Sequence, residues 1–362
     1  MFYHVLYPLR EFWFGFNVFR YITFRASMAA VTSFAICVIF GPAIIKQLKK
    51  FNISQYVRKE HVESLYDLHK HKEGTPTMGG LLIIVSVLVS SLLWCSFDND
   101  YILLALAGMI WLGVIGFLDD FIKLRNKNAK GLQAVTKLIG QAILALIIGI
   151  FVINNKAIGS GLYIPFIKNA VVNLGVFYIL FILFVIVGTS NAVNLTDGLD
   201  GLAIGCVTFI ALTYAVISYV TGHAEISRYL QIFYLPGSGE LTVFCAALAG
   251  AGLGFLWFNS HPATIFMGDT GSLALGGSIA IVSVLIKKEI LLFIAGGVLV
   301  AESASVILQV LSFKLRKKRL FLMAPIHHHF QIKGWHESKI TIRFWIIAAI
   351  LALLSMATLK VR

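Results

Sequence analysis

The sequence predicts an all-α polytopic membrane protein with ten transmembrane helices, and two observations carry that prediction. Of the 362 residues, 58% are hydrophobic and 13% are charged, with a mean hydropathy of +0.85. A soluble domain is about 45–50% apolar and about 25% charged. The apolar residues also gather in runs of roughly 20, the length that crosses a bilayer as a helix. We treat residues 1–362 as a single integral-membrane domain.

Ten candidate spans follow one another along the chain. They lie near 24–45, 79–97, 101–122, 136–153, 171–190, 201–221, 241–258, 271–286, 290–313 and 341–359. Two stretches between spans, 154–170 and 222–240, are expected to form small ordered pieces outside the membrane. The aromatic segment before the first span contains Arg10 and Glu11. It is therefore not typical of a cleaved signal, and we expect it at the membrane interface.

The basic residues indicate an orientation rather than a nucleic-acid partner. The formal net charge is +13, but the lysines and arginines lie in loops beside the spans. If the first span runs inward, twenty of the thirty fall in the loops of one side. By the positive-inside rule, both termini are then outside and those basic loops are cytoplasmic.

The four cysteines do not indicate a zinc site or a disulfide framework. They lie in apolar segments without a CxxC pair. We expect them to be small packing residues.

With this orientation, every polar cluster that could carry chemistry falls on the cytoplasmic side. The clusters are Asp119-Asp120, the segments 191–200 and 259–270, and the run 327–329. They are far apart in sequence but share one membrane surface. We expect them to meet there.

The stretch 188–205, GTSNAVNLTDGLDGLAIG, holds four polar residues between two apolar segments: Asn191, Asn194, Asp197 and Asp200. Carboxylates at the end of a membrane span are costly unless they are paired, hydrated or bound to a cation. This pattern indicates a functional site. The alternative is a polar hairpin whose side chains cap helix ends.

Asp119 and Asp120 close the third predicted span. Two adjacent carboxylates at a helix C-terminus face the negative end of its dipole and repel each other, so they imply a cation, a proton or a basic neighbour. A solvated helix end neutralised by Lys123 and Arg125 is the alternative.

Asp269 lies between glycines just ahead of the eighth span. That position suits Mg²⁺, which is held by one or two carboxylates plus substrate phosphates, although Asp269 could also cap the span.

Histidines and lysines supply positive and hydrogen-bonding groups on the same side. The three histidines of APIHHHF point in different directions, so they cannot all bind one metal, and contact of one or two with phosphate fits better than a surface run without a role. HKHKEGTPTMGG contributes Lys72 and Thr77, and Lys123, Lys130 and Lys137 follow the aspartate pair. Carboxylates, Mg²⁺, lysines and histidines at a membrane surface indicate phosphoryl transfer with a lipid reactant.

Five motifs occur in order along the whole chain. They are GTPTMGG (74–80), FLDD (117–120), NAVNLTDGLDGL (191–202), FNSHPATIFMGDTGS (258–272) and APIHHHF (324–330). On these residues the chain resembles the polyprenyl-phosphate N-acetylhexosamine-1-phosphate transferases. APIHHHF favours the branch that acts on UDP-N-acetylmuramoyl-pentapeptide. The first loop, RKEHVESLYDLHKHKEG, is longer and more irregular than in the family.

The resemblance implies a fold, a reaction and partners. The fold would be ten transmembrane helices in a homodimer of the bacterial cytoplasmic (inner) membrane, with a cytoplasm-facing site. The reaction would convert UDP-N-acetylmuramoyl-pentapeptide and undecaprenyl phosphate to UMP and lipid I, with Mg²⁺ as cofactor.

The resemblance also implies roles for individual residues. Asp269 would hold Mg²⁺, Asp119 would act on the lipid phosphate with Asp120 beside it, His327 would be essential, and Phe266 would stack on uracil. The nucleoside pocket would be lined by Lys72 (or Lys70), Asn191, Asp200, Asn259 and Gly268, and Asn194 belongs to the same motif. The rest of the substrate would be contacted by Thr77, Lys123, Lys137, Asp197, His328 and His329.

Several alternatives stay open on sequence grounds. A relative acting on UDP-N-acetylglucosamine is the nearer one, and a secondary transporter using Asp197 and Asp200 as an ion path is the remote one. Transporter sites lie near the bilayer midplane on repeated, broken helices, whereas these acidic residues gather at one end of the spans. Glu302, in the middle of the ninth span, is the exception, and we expect it at a kink or a contact inside the bundle. Direct attack by the lipid phosphate and a covalent aspartyl intermediate both fit the residues.

Overall fold

The computed structural model describes residues 1–51, 74–126, 131–165 and 171–360. These form an almost entirely helical protein, and nine of its helices are long and apolar enough to cross a membrane. The helices are α1 Phe2–Leu6, α2 Ile22–Lys50, α3 Gly80–Trp94, α4 Asp100–Arg125, α5 Ala134–Asn154, α6 Phe177–Thr196, α7 Leu202–Gly222, α8 Ala224–Leu230, α9 Leu241–Asn259, α10 Gly268–Leu285, α11 Glu289–Ala295, α12 Gly297–Arg316, α13 Ile326–Ile332 and α14 Glu337–Ala357. Short 3₁₀ turns occupy Tyr7–Glu11, Phe14–Arg20 and Ser238–Glu240.

The second predicted span, 79–97, corresponds to α3 and is shorter than expected. Its 15 residues extend about 22 Å at 1.5 Å per residue, against a hydrocarbon core of about 30 Å. Nine long apolar helices and this shorter one therefore stand where ten spans were predicted.

Two predicted span boundaries are wrong. The fifth span does not begin at 171, because the first residues of that apolar run form β2 (Val171–Asn173), Gly175 turns the chain at φ +53°, and α6 starts only at Phe177. The ninth span is interrupted at Gly296, which separates α11 from α12. A hydropathy window cannot detect either break, since the residues on both sides of each are apolar.

Both stretches predicted between spans contain ordered structure. In the first, β1 (Gly161–Tyr163) pairs with β2 in an antiparallel hairpin. In the second, α8 precedes the 3₁₀ turn Ser238–Glu240. In the N-terminal segment, Phe12 and Phe14 are 87% and 83% exposed, and its place at the membrane interface stays a prediction.

Helix α10 occupies the centre of the bundle. Of its most apolar 18 residues, 89% are buried, compared with 78% for the same length of α9 with its preceding turn and 22% for α12. The central helices are rich in small residues, which let backbones approach closely where lipid offers no hydrophobic driving force between helices. A Cβ at Gly250 of α9, for example, would clash with the carbonyl oxygen of Ala30 of α2. The four cysteines are buried, free thiols, as expected of packing residues.

The C-terminal end of α4, the C-terminal end of α6 and the N-terminal end of α10 meet at one end of this bundle. Helix α6 continues to Thr196, so Asn191 and Asn194 are helical and not part of a loop as predicted. Helix α10 begins at Gly268, a few residues before the predicted start, so Asp269 lies in its first turn. The polar residues of three distant motifs are thereby brought to one place.

Candidate active site

Asp120 closes the N-terminus of the central helix. It lies near the end of α4, is buried, and accepts hydrogen bonds from the backbone N–H groups of Asp269 (3.2 Å) and Thr270 (2.9 Å) and from the Thr270 hydroxyl (2.7 Å). The first N–H groups of a helix lack partners within the helix and attract negative charge. Asp120, and not Asp269 as the alternative interpretation had it, therefore provides the cap of α10.

Asp119 joins α4 to α5. It is fully buried. Its Oδ1 accepts from the backbone N–H of Leu132 at 2.8 Å and lies 3.0 Å from Lys137 Nζ, while its Oδ2 lies 2.5 Å from Lys123 Nζ. Both lysines therefore neutralise a carboxylate that would otherwise be costly to bury.

Asp269 shares those two lysines. Its Oδ2 accepts from Lys137 Nζ at 2.5 Å, and its Oδ1 accepts from Asn194 Nδ2 at 2.9 Å and lies 3.2 Å from Lys123 Nζ. We call this group the carboxylate–lysine cluster, and it consists of Asp119, Asp120, Asp269, Lys123 and Lys137. Three carboxylates and two ammonium groups leave this cluster with a formal charge of −1.

Glycines allow the aspartates to come this close. Gly116, one turn before Asp120 on α4, packs against the backbone of Asp269, and a Cβ there would clash with the Asp269 carbonyl. Gly268 has φ +73°, and a Cβ on it would lie 2.6 Å from Asp120 Oδ2. Larger residues at either position would separate α4 from α10.

The cluster fits a divalent cation. Asp119, Asp120 and Asp269 each offer an oxygen, and these oxygens lie within 4.8 Å of one another. Carboxylate oxygens are the ligands that Mg²⁺ prefers, and the net negative charge of the cluster favours a cation. All three aspartates also accept hydrogen bonds or lie beside lysines, so a bound cation would share their oxygens with these partners.

The TPTMGG segment pairs with the loop before α10. Backbone hydrogen bonds join Phe266 N to Pro76 O (2.8 Å), Gly79 N to Phe266 O (2.8 Å) and Gly80 N to Met267 O (2.9 Å). Phe266 and Thr77, both half-buried, thus lie on two neighbouring extended segments beside the cluster. Thr77 Oγ1 approaches Gly268.

The turn between α6 and α7 forms a second polar group. Asp200 is buried, and its Oδ2 lies 3.1 Å from His261 Nδ1 and accepts from Ala263 N at 3.1 Å. Asn259 accepts from Gly201 N (3.1 Å) and donates to Ile265 O (2.8 Å), which ties the turn to the Phe266 loop. Asp197, half-buried, ends α6.

The three histidines point to different partners, as predicted. His327 is buried, and its Nδ1 lies 3.0 Å from Glu302 Oε2, while its Nε2 approaches Gly198. His328 Nδ1 is 2.7 Å from Gln331 Oε1. His329 accepts from the backbone N–H of Leu322 at 3.1 Å.

The remaining predicted residues lie elsewhere. Asn191 donates to Gln141 Oε1 (2.9 Å) and to Val187 O (2.8 Å), one helical turn away from Asn194, which contacts the cluster. Lys70, Lys72 and Lys130 lie outside the described residues.

Sequence reasoning missed two residues that hold the site. Ser272 accepts from Asn194 at 2.8 Å, and Glu337 accepts from the backbone N–H of Asp200 at 2.7 Å. The signal for Glu337 was its charge, because an acidic group at the end of a span needs a partner. Glu302 makes the predicted contact inside the bundle, since it is buried against His327.

Comparisons with known proteins show which family the sequence resembles. A family model described as glycosyl transferase family 4 matches residues 102–287, and the phospho-N-acetylmuramoyl-pentapeptide-transferase signature 1 matches residues 72–84. The chain is 51% identical to the phospho-N-acetylmuramoyl-pentapeptide-transferase of Citrifermentans bemidjiense over 362 residues, 100% of both chains. It is 52% identical to that of Desulfotalea psychrophila over 363 residues and 49% to that of Thermodesulfovibrio yellowstonii over 365 residues, again over 100% of both chains.

The signature covers the segment that pairs with the Phe266 loop, and the longer match runs through the cluster from α4 to α10. Identity near one half along the full length leaves no part of the chain outside the likeness. The chain belongs to the phospho-N-acetylmuramoyl-pentapeptide transferase (MraY) family.

Proposed function

We propose that this protein transfers phospho-N-acetylmuramoyl-pentapeptide from its UDP carrier to undecaprenyl phosphate, giving lipid I and UMP. Family membership over the whole chain supports this activity. The observation that carries it is the pair Asp119 and Asp269, joined by Lys123 and Lys137 at 2.5–3.2 Å. Carboxylates and ammonium groups in alternation suit two phosphate-bearing reactants, because phosphoryl transfer needs chiefly positioning and charge neutralisation.

The protein is a multi-pass membrane protein, since nine helices among the described residues are long and apolar enough to span a bilayer. It is located in the bacterial cytoplasmic (inner) membrane, with both termini outside and the cluster at the cytoplasmic face. The excess of lysine and arginine on that side supports this orientation. The single domain 1–362, its homodimer and its contact with membrane lipid are carried over from the family likeness.

Mg²⁺ is the cofactor in this proposal. Bound at the cluster, it would supply positive charge for the diphosphate of the nucleotide substrate. Asp269 would hold it, with Asp119 as the neighbouring carboxylate. Lys123 and Lys137 touch both aspartates, so they are placed to contact phosphate oxygens from the same position.

Direct attack is the mechanism that needs the fewest groups. An oxygen of the lipid phosphate forms a bond to the phosphorus that carries the sugar, and the bond from that phosphorus to the UMP oxygen breaks with its electron pair leaving on UMP. A phosphate monoester has its second pKa near 6, so the lipid phosphate is mostly a dianion at neutral pH. Asp119 therefore acts mainly to orient the phosphate and needs no strong basicity.

The further contacts in this proposal are carried over from the family resemblance. Phe266, held against the TPTMGG segment, would stack on uracil, and Asp200, Asn259 and Gly268 would line the nucleoside pocket with Lys72 and Asn191. Asn194, Asp197, Thr77, His328 and His329 would contact the remainder of the substrate. His327, buried beside Gly198, would complete the cavity.

The assay of UMP release tests the activity. Purified protein is supplied with undecaprenyl phosphate, Mg²⁺ and either UDP-N-acetylmuramoyl-pentapeptide or UDP-N-acetylglucosamine. We expect release from the first only, and about 10³-fold slower release in the Asp269→Asn control. Release from UDP-N-acetylglucosamine alone would assign the protein to the other branch.

A trapping experiment tests the mechanism. Radiolabelled nucleotide substrate with Mg²⁺ but without lipid acceptor should leave the protein unlabelled. A sugar-phosphate recovered on an aspartate would establish a covalent intermediate and reject direct attack.

A further inference from the structure

The last helix holds the turn that carries Asp200 by its backbone. Glu337 Oε1 accepts from Asp200 N at 2.7 Å, and the Thr341 hydroxyl donates to Asp200 O at 3.2 Å. The Trp345 indole donates to Gly201 O at 3.2 Å. Three side chains of α14 thus engage three backbone polar groups of Asp200 and Gly201 in the α6–α7 turn.

The spacing of these side chains explains how they reach one turn. Glu337, Thr341 and Trp345 are four residues apart, so they lie on one face of α14. Trp345 also fits where α7 has no side chain, because a Cβ at Gly205 would clash with its indole nitrogen. Gly201 has φ +73°, a conformation that glycine adopts without steric cost.

The loop between α9 and α10 also holds the turn, and its His261 lies 4.0 Å from Glu337 of α14. His261 and Ala263 contact the Asp200 carboxylate, and Asn259 links Gly201 N to Ile265 O, next to Phe266. The turn is thus fixed jointly by this loop and α14. The carboxylate–lysine cluster, in contrast, is built from α4, α5 and α10.

We propose that Glu337, Thr341 and Trp345 are positioning residues for the nucleotide half of the substrate. They fix the backbone of Asp200 and Gly201, and through Asn259 they fix the loop that presents Phe266. This inference rests on the proposed function, because that function puts the nucleoside between Asp200 and Phe266. It adds that α14, which none of the five motifs includes, sets the affinity for the nucleotide.

The test uses variants that remove one backbone contact each. Thr341→Val removes the donor to Asp200 O and keeps the side-chain volume. Glu337→Ala removes the acceptor for Asp200 N, and Glu337→Gln keeps a carbonyl acceptor at the same place. Thr358→Val is the matched control, because Thr358 is buried at the far end of α14 and bonds only locally, to Ser355 O at 2.7 Å.

We expect Thr341→Val and Glu337→Ala to raise the KM for the UDP substrate about tenfold, the effect of about 1.4 kcal/mol. The KM for undecaprenyl phosphate and kcat should change by less than about twofold, a split that a loss of one nucleotide contact produces. The Kd of UMP for full-length protein, measured by calorimetry without turnover, should rise in parallel. Glu337→Gln should restore most of both, and Thr358→Val should match the unaltered protein.

The outcomes separate this inference from the proposed function. If the unaltered protein releases no UMP from the muramoyl substrate, the proposed function fails. If it does release UMP, the UMP affinities of those variants that melt like the unaltered protein decide between the two outcomes, and Thr341→Val, which keeps the side-chain volume, is expected to be one of them. Unchanged affinity in Thr341→Val and Glu337→Ala, or a loss confined to kcat, overturns the positioning role.

Discussion

Asp269 and Asp120 carry the same charge but differ in their partners, since Asp269 lies between two lysines and Asp120 caps α10, so their substitutions should have different effects. Asp269→Asn removes the charge expected to hold Mg²⁺, and we expect turnover to fall about 10³-fold, the upper range for loss of one electrostatic contact at a reacting centre. The variant should still fold, because Asp119 and Asp120 still balance the charges of Lys123 and Lys137. Near-normal turnover in this variant would show that Asp269 is not the ligand.

We expect the Asp120→Ala variant to have a lower melting temperature than the unaltered protein. It leaves the backbone N–H and hydroxyl of Thr270 without their acceptor, and each orphaned buried donor costs about 1–3 kcal/mol. Thermal unfolding in detergent measures the effect. Ser338→Ala, at a half-buried position of α14, provides the reference for a small polar deletion, and an equal melting temperature in both would contradict the capping role.

Glu302 and His327 form a pair whose members should act as a unit. Glu302 Oε2 lies 3.0 Å from His327 Nδ1, and both side chains are buried. Glu302→Ala removes the partner that orients the ring, and we expect kcat to fall about 10²-fold, within the usual range for a group that aids proton positioning. Glu302→Gln, which keeps an acceptor, should lose less.

A double-mutant cycle checks whether the pair is coupled. Adding Glu302→Ala to His327→Ala should reduce kcat little further, since residues that act together are not additive. If the fold-loss of kcat in the double variant equals the product of the fold-losses in the two single variants, Glu302 acts independently of His327.

At the residue scale, the sequence predicted which side chains belong to the site better than it predicted what each one contacts. Charge in a membrane context singled out Asp119, Asp120 and Asp269, and the basic-loop count put them on one side. The cap of α10 joins Asp120 to Thr270, 150 positions apart in the sequence. The lysine contact joins Lys137 to Asp269, 132 positions apart. Spacing along the chain carries no information on such contacts.

Helix α4 and helix α10 approach so closely at Gly116 that no side chain fits between them there. Gly116 packs on the Asp269 backbone, whereas a Cβ at Gly188, in the middle of α6, would have no heavy atom within 4 Å. Gly116→Ala should therefore separate the two helices, lower the melting temperature and abolish turnover.

Gly188→Ala is the matched control for that substitution. It should retain activity and be neutral or more stable by up to about 1 kcal/mol, the helix-propensity difference between the two residues. Equal effects at the two glycines would show that the close contact of α4 with α10 does not matter. The sequence predicted both helices but not this contact, because glycines occur throughout the apolar segments.

The boundaries of elements were less predictable than their existence, for a physical reason. Hydropathy reports whether a residue tolerates lipid and is silent on backbone conformation, so β2 and the start of α6 merged into one predicted span. The break at Gly296 between α11 and α12 was hidden in the same way. Turn residues such as Gly175, at φ +53°, mark the true boundaries.

For the whole molecule, the decisive property is which end of the bundle faces the cytoplasm. Helix α5 begins beside the cluster, where Lys137 lies, and ends at Asn154, so Ala157 marks the opposite end. Lys333 follows α13, which carries His327, and marks the end with the site. Both positions are exposed. The four native cysteines are buried, so a single introduced cysteine can be labelled selectively.

We expect a membrane-impermeant maleimide added to intact cells, with the outer membrane permeabilised, to label Ala157→Cys and not Lys333→Cys. After the inner membrane is opened, both should react, which controls for accessibility. UMP release by each variant confirms that it is folded. The UDP substrate is charged and cannot cross the bilayer, so the cluster must face the compartment that supplies it. Labelling of Lys333→Cys in sealed cells would put the cluster on the outer side, and the proposed reaction would then lack its nucleotide donor.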